Sequence, residues 1–357
     1  MNTPLVYLAR CRLHRNGANL TQALHVAAGF ERVGIPIRMY LPPAKRVRIG
    51  ERLRDFGFDD PLDIRLTQWL HTRFRLWPFF LRYRRELRRA RGIFTHSLIL
   101  SRWLARFRLP HVLEIHDADR DLIQGGWLEH VIRRHRECLI EWLIPVSRAA
   151  AHVLLEGGAD PSRLLVAPNG VDARAYADLP EFDPGRLSFP TFVYLGTLAP
   201  ERGLHVFEIL QRRGLGKAVL IGEAEPGFIP PRQVETRPFV PHHEVPSWYG
   251  RSDITLLPYS PHLATADSMS PMKMFEALAA GRPIIASDLP VLRELLEHEK
   301  NALLVDPEDP EAWIGAVRRL QTDPELACRL ARVARESARE FTWEKRAERI
   351  ARACGWR

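Results

Sequence analysis

Cysteine is scarce in this chain. The four in 357 residues, Cys11, Cys138, Cys328 and Cys354, are widely separated. That excludes a disulfide framework, and with no C-x-x-C pair nothing in their spacing points to zinc. Long apolar runs are missing too: a stretch such as Leu139–Ile144 is interrupted by Glu141, far short of the roughly 20 residues a membrane-spanning helix needs. The N-terminus lacks the apolar core of a signal peptide. A short strand-like run, Leu5–Leu8, is followed at once by Arg10 and Arg12, so the expected location is the cytoplasm. No internal repeat or low-complexity tract is present. With 46% hydrophobic and 27% charged residues, the composition is neither disordered nor integral to a membrane.

What is abundant is positive charge, +9 net, which calls for an anionic partner: nucleic acid, a membrane surface or a phosphorylated substrate. Between Arg73 and Arg91 eight arginines stand against one acid, Glu86, interleaved with Phe74, Trp77, Phe79, Phe80 and Tyr83. On a helix, Phe80, Tyr83, Leu87 and Ala90 share one face while Arg82, Arg85, Arg88 and Arg89 occupy the rest. Two readings fit: an amphipathic segment lying on an anionic membrane, or a solvated helix packing its apolar stripe into its own domain.

The length suits two domains, and the pattern divides accordingly. Leu5–Leu8, Ile37–Leu41, Ile93–Thr95, Val112–Ile115 and Ile144–Val146 read as buried parallel strands, with helices over residues 18–33 and 128–141. A Pro-, Asp- and Gly-rich stretch at 179–190 reads as a linker. A second alternation follows, with strands at 192–195, 218–221, 254–257, 283–286 and 303–305. Its helices are expected at 204–213, 272–280, 290–297 and 311–320. This predicts two doubly wound α/β domains, residues 1–178 and 190–339, with a ligand cleft between them.

The most informative segment is Ser270–Pro283. Ser270 suits a helix N-cap, Pro271 the first helical position and Gly281 the C-terminal turn. The small, polar loop before it, through Ser268 and Met269, can turn backbone amides toward a ligand. A helix start of this kind attracts anions. Lys273 adds a cation where the helix dipole disfavours one, which a diphosphate would explain. Gly196 and Thr197 open a strand-to-helix loop from which Arg202 could reach the same phosphates. In the first half, Asn16 and Gly17 follow strand one, where Asn16 or Asn19 can cap a helix and Gly17 can let backbone approach a ligand. His116 ends a predicted strand, at the edge where doubly wound sheets place functional residues.

Taken together, these stretches resemble the retaining GT-B glycosyltransferases of family 4. The likeness rests on Pro145–Arg148 with Val166–Asp172, on Gly196–Gly203, on Phe239–Pro241 through Tyr259, and on Phe275–Asp288. The resemblance implies a GT-B fold, two Rossmann-like domains facing across a cleft, with the C-terminal helix (340–357) packing back on the first. It implies transfer of a sugar from a nucleotide-diphosphate sugar to a sugar or lipid-linked glycan acceptor, as in cell-envelope polysaccharide synthesis, with no metal and no other cofactor. By the same resemblance Glu276 holds the ribose, and the segment containing Val240 receives the base. Arg202 holds the diphosphate, Gly17 lies near it, and His116 sits near the reacting face of the sugar, while Lys273 departs from the family pattern as an added charge that compensates for Thr197. The chain departs from the family's Glu-x7-Glu motif: Ser268, preceded by Asp267, stands where the first glutamate is usual. Thr197 occupies a place often held by arginine. Other GT-B chemistries, nucleotide-sugar epimerisation or sugar phosphorolysis, share these features. Basic charge alone would also suit a non-catalytic nucleic-acid-binding protein, but no nucleic-acid module is visible and no such partner is expected.

Overall fold

Runs of apolar residues that can be buried on both faces form the centre of each sheet. The computed structural model describes residues 3–44, 47–71 and 76–357. In the first half the strands are β1 (Leu5–Leu8), β2 (Ile37–Leu41), β3 (Asp63–Leu66), β4 (Ile93–Thr95), β5 (His111–Ile115) and β6 (Ile140–Pro145). They form one six-stranded sheet in the order 3-2-1-4-5-6, every pairing parallel, which is the dinucleotide-binding arrangement. The helices between them are α1 (Ala18–Arg32), α2 (Ile49–Asp55), α3 (Trp77–Arg89), α4 (Leu98–Arg106), α5 (Leu128–Arg136) and α6 (Arg148–Glu156). Ser97 and Ser147 cap α4 and α6, each accepting a hydrogen bond from the backbone N–H three residues on, and so satisfy donors the helix leaves free.

The second half repeats the pattern with β7 (Thr191–Leu195), β8 (Lys217–Ile221), β9 (Glu235–Arg237), β10 (Thr255–Leu257), β11 (Ile284–Ser287) and β12 (Leu303–Val305). Two three-stranded parallel sheets, 7-8-9 and 10-11-12, meet through a parallel bridge between Phe192 and Ile254. The strand order becomes 9-8-7-10-11-12, the same winding as the first sheet. Its helices are α7 (His205–Arg212), α8 (Val245–Arg251), α9 (Met272–Ala280), α10 (Pro310–Thr322) and α11 (Pro324–Ala338).

The chain divides into two units, one of residues up to Gly170 with Ser268–Ser270 and Trp343–Arg357, the other of Val171–Asp267 and Pro271–Thr342. Residues 171–178 thus go with the second unit rather than the first. Val171 bridges Thr342, and its N–H donates to the Phe341 carbonyl at 2.9 Å. The expected linker is part of the second unit's core: Pro184–Ser188 is a 3₁₀ turn whose Leu187 is buried beside Phe192 and Trp313. The last helix, α12 (Trp343–Ala353), lies on α1 in the first unit. The Trp343 ring stacks on His25 at 5.6 Å, and a side chain at Gly29 would collide with the Trp343 carbonyl.

Several local expectations are corrected. The helix expected at 128–141 ends at Arg136; Cys138 takes a left-handed φ of 57°, which turns the chain so that Glu141 falls in β6. Residues 290–295 form turns instead of the helix expected at 290–297, and Asn301 closes the end of the segment by binding the Leu295 carbonyl and the Glu297 N–H at 2.9 and 2.8 Å. Strands β3 and β9 were not expected. Both are edge strands with polar residues, so neither leaves an apolar run in the sequence.

The arginine-rich stretch resolves largely in favour of packing. Arg73 and Phe74 lie outside the described residues. In α3, Phe79, Phe80 and Leu87 are buried with Val6, Leu8 and Tyr40, and Tyr83 rests against Tyr40 at 4.9 Å. The stripe of Phe80, Tyr83 and Leu87 is therefore taken by the domain core and is not free to enter a membrane. Arg82, Arg84, Arg85, Arg88 and Arg89 are exposed, as are Trp77 and Leu81.

Candidate active site

At the carboxyl edge of the first sheet a buried polar network surrounds His116. Glu114, two residues earlier, points to the same side of the strand and has no solvent exposure. His116 Nε2 contacts Glu114 Oε1, and Arg346 of α12 donates from Nη2 to Glu114 Oε2 at 2.8 Å. Gln22 of α1 donates to Glu114 Oε1 at 2.6 Å and to Asn169 Oδ1 at 2.9 Å. Burial pushes the Glu114 carboxyl upward, yet Arg346 and His116 together overcome it and hold the group well below the usual carboxylate range. An ionised Glu114 accepts from His116 Nε2–H, which fixes the orientation of the ring. Behind it, His96 stacks on His116 at 5.1 Å and bonds Tyr7 Oη through Nδ1 at 2.8 Å. Burial, then His116, lowers the His96 pKa to about 3, so His96 is neutral.

Ser268–Ser270 belong to this unit. Ser147 Oγ donates to the Ser268 carbonyl at 2.8 Å. The Asn169 backbone N–H and side-chain Nδ2 donate to Ser270 Oγ and the Ser270 carbonyl at 3.0 and 2.6 Å. Ser270 therefore does not cap α9 as expected: its hydroxyl is committed to Asn169, and α9 begins after Pro271 with no side-chain cap. Ser268 and Met269 are buried, and Ser268 Oγ has no hydrogen-bond partner among the described residues.

In the second unit the switch point lies between β7 and β10, where the strand order reverses. Gly196 ends β7 with φ 139°, and a side chain there would overlap the Lys273 ammonium. Lys273 reaches from the first turn of α9 to lie over Gly196 and the Tyr194 ring, with Nζ 5.0 Å from the ring centroid. Burial works against its charge, but Tyr194 and Tyr259 outweigh burial and the repulsion of Arg202, so its pKa is raised and it stays protonated. Arg202 closes a 3₁₀ turn, and Gly203 after it takes a left-handed φ of 68°; a Cβ there would strike the Pro258 carbonyl. The loop after β7 is thereby held against the loop after β10. Arg202 Nε is buried without a hydrogen-bond partner among the described residues, which is costly for a cation unless an anion approaches it.

Glu276, one turn along α9 from Lys273, is buried, with Oε1 3.3 Å from His242 Nε2 and Oε2 accepting from Tyr249 Oη at 3.4 Å. These long contacts leave much of its acceptor capacity for a ligand hydroxyl. Val240 lies half-buried just before His242. Thr197 is exposed, and its carbonyl accepts from Tyr194 Oη at 3.0 Å.

The structure thus gathers Gly196, Arg202 and Lys273 in the second unit, and His116 with Ser268 and Ser270 in the first. Asn16 and Gly17 stand at the exposed start of α1. Neither Asn16 nor Asn19 caps that helix; Asn16 Oδ1 instead accepts from Arg52 at 2.5 Å. Gly17 is extended at φ −152°, with open space around its α-carbon, so no backbone strain requires glycine there. Sequence reasoning missed Gln22, His96, Glu114, Asn169 and Arg346. Glu114 carried a signal, an acid at the centre of an apolar strand that must find a partner. Arg346, more than 200 residues away, carried none.

Residues 190–323 match the family model described as glycosyl transferases group 1. The D-inositol 3-phosphate glycosyltransferase of Corynebacterium urealyticum is 27% identical over 150 residues, which is 42% of this chain and 30% of that protein. Glycogen synthase of Mycobacterium tuberculosis is 26% identical over 68% of this chain and 62% of its own length. The chain spans only about a third of the inositol-phosphate enzymes it matches. Among solved structures, HepE of Anabaena in complex with UDP and glucose superimposes with a TM-score of 0.74 at 17% identity, covering 99% of this chain and all of that one. The fold is that of the GT-B glycosyltransferases.

Proposed function

We propose that this chain, whose residues 190–323 form a glycosyl transferases group 1 domain, transfers a sugar from a nucleoside-diphosphate sugar to an acceptor. One observation carries the reading. Two cations, Lys273 and Arg202 with its buried, unpartnered Nε, converge on the glycine-floored loop beside the uncapped start of α9. Such a cradle suits a diphosphate, and the complexes of HepE with UDP support a nucleotide donor of this type.

In the reaction the bond from the anomeric carbon to the diphosphate oxygen breaks, and its electron pair leaves on the diphosphate. The acceptor oxygen bonds the anomeric carbon on the same face and gives its proton to the departing phosphate. Lys273, Arg202 and the α9 amides neutralise the growing charge, so no metal is called upon. Glu276 accepts from the ribose hydroxyls and the backbone around Val240 borders the base. The family resemblance assigns His116, fixed by Glu114 through Nε2, to the reacting face of the sugar, where positive charge develops.

The acceptor reading is a glycan on a lipid carrier, approached at an anionic membrane surface. Exposed Trp77 and Leu81 lie one turn apart on α3, in line with exposed Arg84, Arg85 and Arg88, a combination that favours anionic interfaces. Incubation with UDP-, GDP- and ADP-sugars, with product analysis by NMR with and without chelator, tests the reaction. Retention of anomeric configuration and activity in chelator are expected; failure to bind any nucleotide sugar would sink the proposal. Vesicle flotation tests the surface: Trp77→Ala/Leu81→Ala should lower recovery with anionic but not neutral vesicles, and unchanged recovery would remove α3 from it.

A further inference from the structure

At the other end of the first sheet, α4 and α5 border a cavity of about 660 Å³. Arg102, Arg106 and Arg108 line one side; His130, Arg133 and Arg134 line the other. Both helices end at this edge, where β5 and β6 begin, whereas His116 follows the far end of β5. A five-residue strand separates the two places by about 16 Å. The cavity is therefore no part of the His116 network.

Arginines near helix C-termini are ordinarily explained by the helix dipole, but here they exceed that need. The one acid on the wall, Glu137, is taken by Arg134 at 2.6 Å. Arg102, Arg106, Arg108 and Arg133 have no ion pair among the described residues. Arg108 moreover occupies a left-handed turn at φ 50°, a position that favours glycine or asparagine. Two polar atoms at the wall, His130 Nε2 and Arg134 Nε, are buried without hydrogen-bond partners. Arg102, Arg106, Arg108 and Arg133 are exposed and solvated, so the cost falls on the buried His130 Nε2 and Arg134 Nε, while the like charge crowded at this edge attracts an anion.

We propose that this cavity is a second anion site, binding a ligand with linked phosphate groups, separate from the proposed donor cradle. Guanidinium forks match tetrahedral phosphate oxygens in pairs. Four cations without a carboxylate partner among the described residues, two of them (Arg102 and Arg106) resting over Trp127 and Trp103, and a volume well beyond one phosphate suit a diphosphate rather than a single carboxylate. Burial, followed by Arg134, Arg102 and Arg133, lowers the pKa of His130, so an arriving anion would restore its proton and gain a further donor.

The same chemistry could come from a soluble diphosphate or from a phospholipid headgroup, and the test separates them. Inorganic pyrophosphate is titrated calorimetrically, at fixed ionic strength, into the full chain carrying Arg202→Ala/Lys273→Ala. That pair removes both cations of the donor cradle, so failure here is independent of the glycosyl-transfer reading. Adding Arg106→Gln/Arg133→Gln should weaken binding at least tenfold, with Arg106→Lys/Arg133→Lys intermediate and thermal melting unchanged in both. Flotation with phosphatidylglycerol vesicles that pyrophosphate displaces and the glutamine pair abolishes assigns the headgroup. Pyrophosphate binding with no such flotation assigns a soluble ligand. Equal affinity of the glutamine variant for pyrophosphate, or sulfate binding as tightly as pyrophosphate, would overturn the proposal.

Discussion

Arg346, eleven residues from the C-terminus, donates to Glu114 at 2.8 Å in a pair that is almost wholly buried, 5% and 0% exposed. Arg346 also donates from Nε to the Pro168 carbonyl at 2.9 Å. One guanidinium thus fastens α12 to the strand that carries His116 and to the segment that carries Asn169.

Breaking that pair from the arginine side should be severe, because the carboxylate stays behind. Arg346→Met keeps most of the volume and should cost about 3–5 kcal/mol in denaturant unfolding at neutral pH. Glu114 has a folded pKa below its ordinary 4.5, so its contribution is complete above that pH and is lost as the pH falls toward the folded value. The stability gap between the parent protein and Arg346→Met should therefore be widest at neutral pH and above and narrow as the pH falls and the stranded carboxylate of the variant takes up a proton. A gap independent of pH would mean that the ion pair is not its source.

His116→Ala tests the proposed contact of this side chain with the reacting sugar. Donor affinity by calorimetry should be nearly unchanged, while kcat falls at least about tenfold, or 1.4 kcal/mol. Full activity of the variant would make His116 a structural partner of Glu114 and His96 only.

Lys273→Ala and Arg202→Ala should each weaken nucleoside-diphosphate binding by about 1.5–3 kcal/mol. Both cations are at the β7 loop and neither has a carboxylate partner among the described residues, so removing one leaves no acid stranded. Parent-like affinity in both would take them out of the donor site.

Glu276→Gln retains shape and one acceptor while losing charge. Weaker donor binding with an unchanged melting temperature is expected, since the Tyr249 and His242 contacts are long and cost little to lose. Normal binding with no turnover would instead make Glu276 a catalytic group.

The winding of both sheets was legible in the sequence where a strand is buried on both faces, as in Leu5–Leu8 or Ile284–Ser287. It was illegible at the edges, where Asp63–Leu66 and Glu235–Arg237 keep one face in water and need no apolar run. That Lys273 and Arg202 lie at one loop was legible as well, since both stand at strand-to-helix junctions of one sheet.

What only the tertiary structure decided is which charges are shared and which faces are free. Ser270 looked like a cap because capping is local, but Asn169, about a hundred residues earlier, claims its hydroxyl. The apolar stripe of α3 fitted a membrane and a core equally well until Tyr40 and Val6 were brought against it. Glu114 declared by itself that it needed a partner, and chain order could not say which. Periodicity and caps are written within a few residues, whereas a buried ion pair is closed by whichever distant side chain folding delivers.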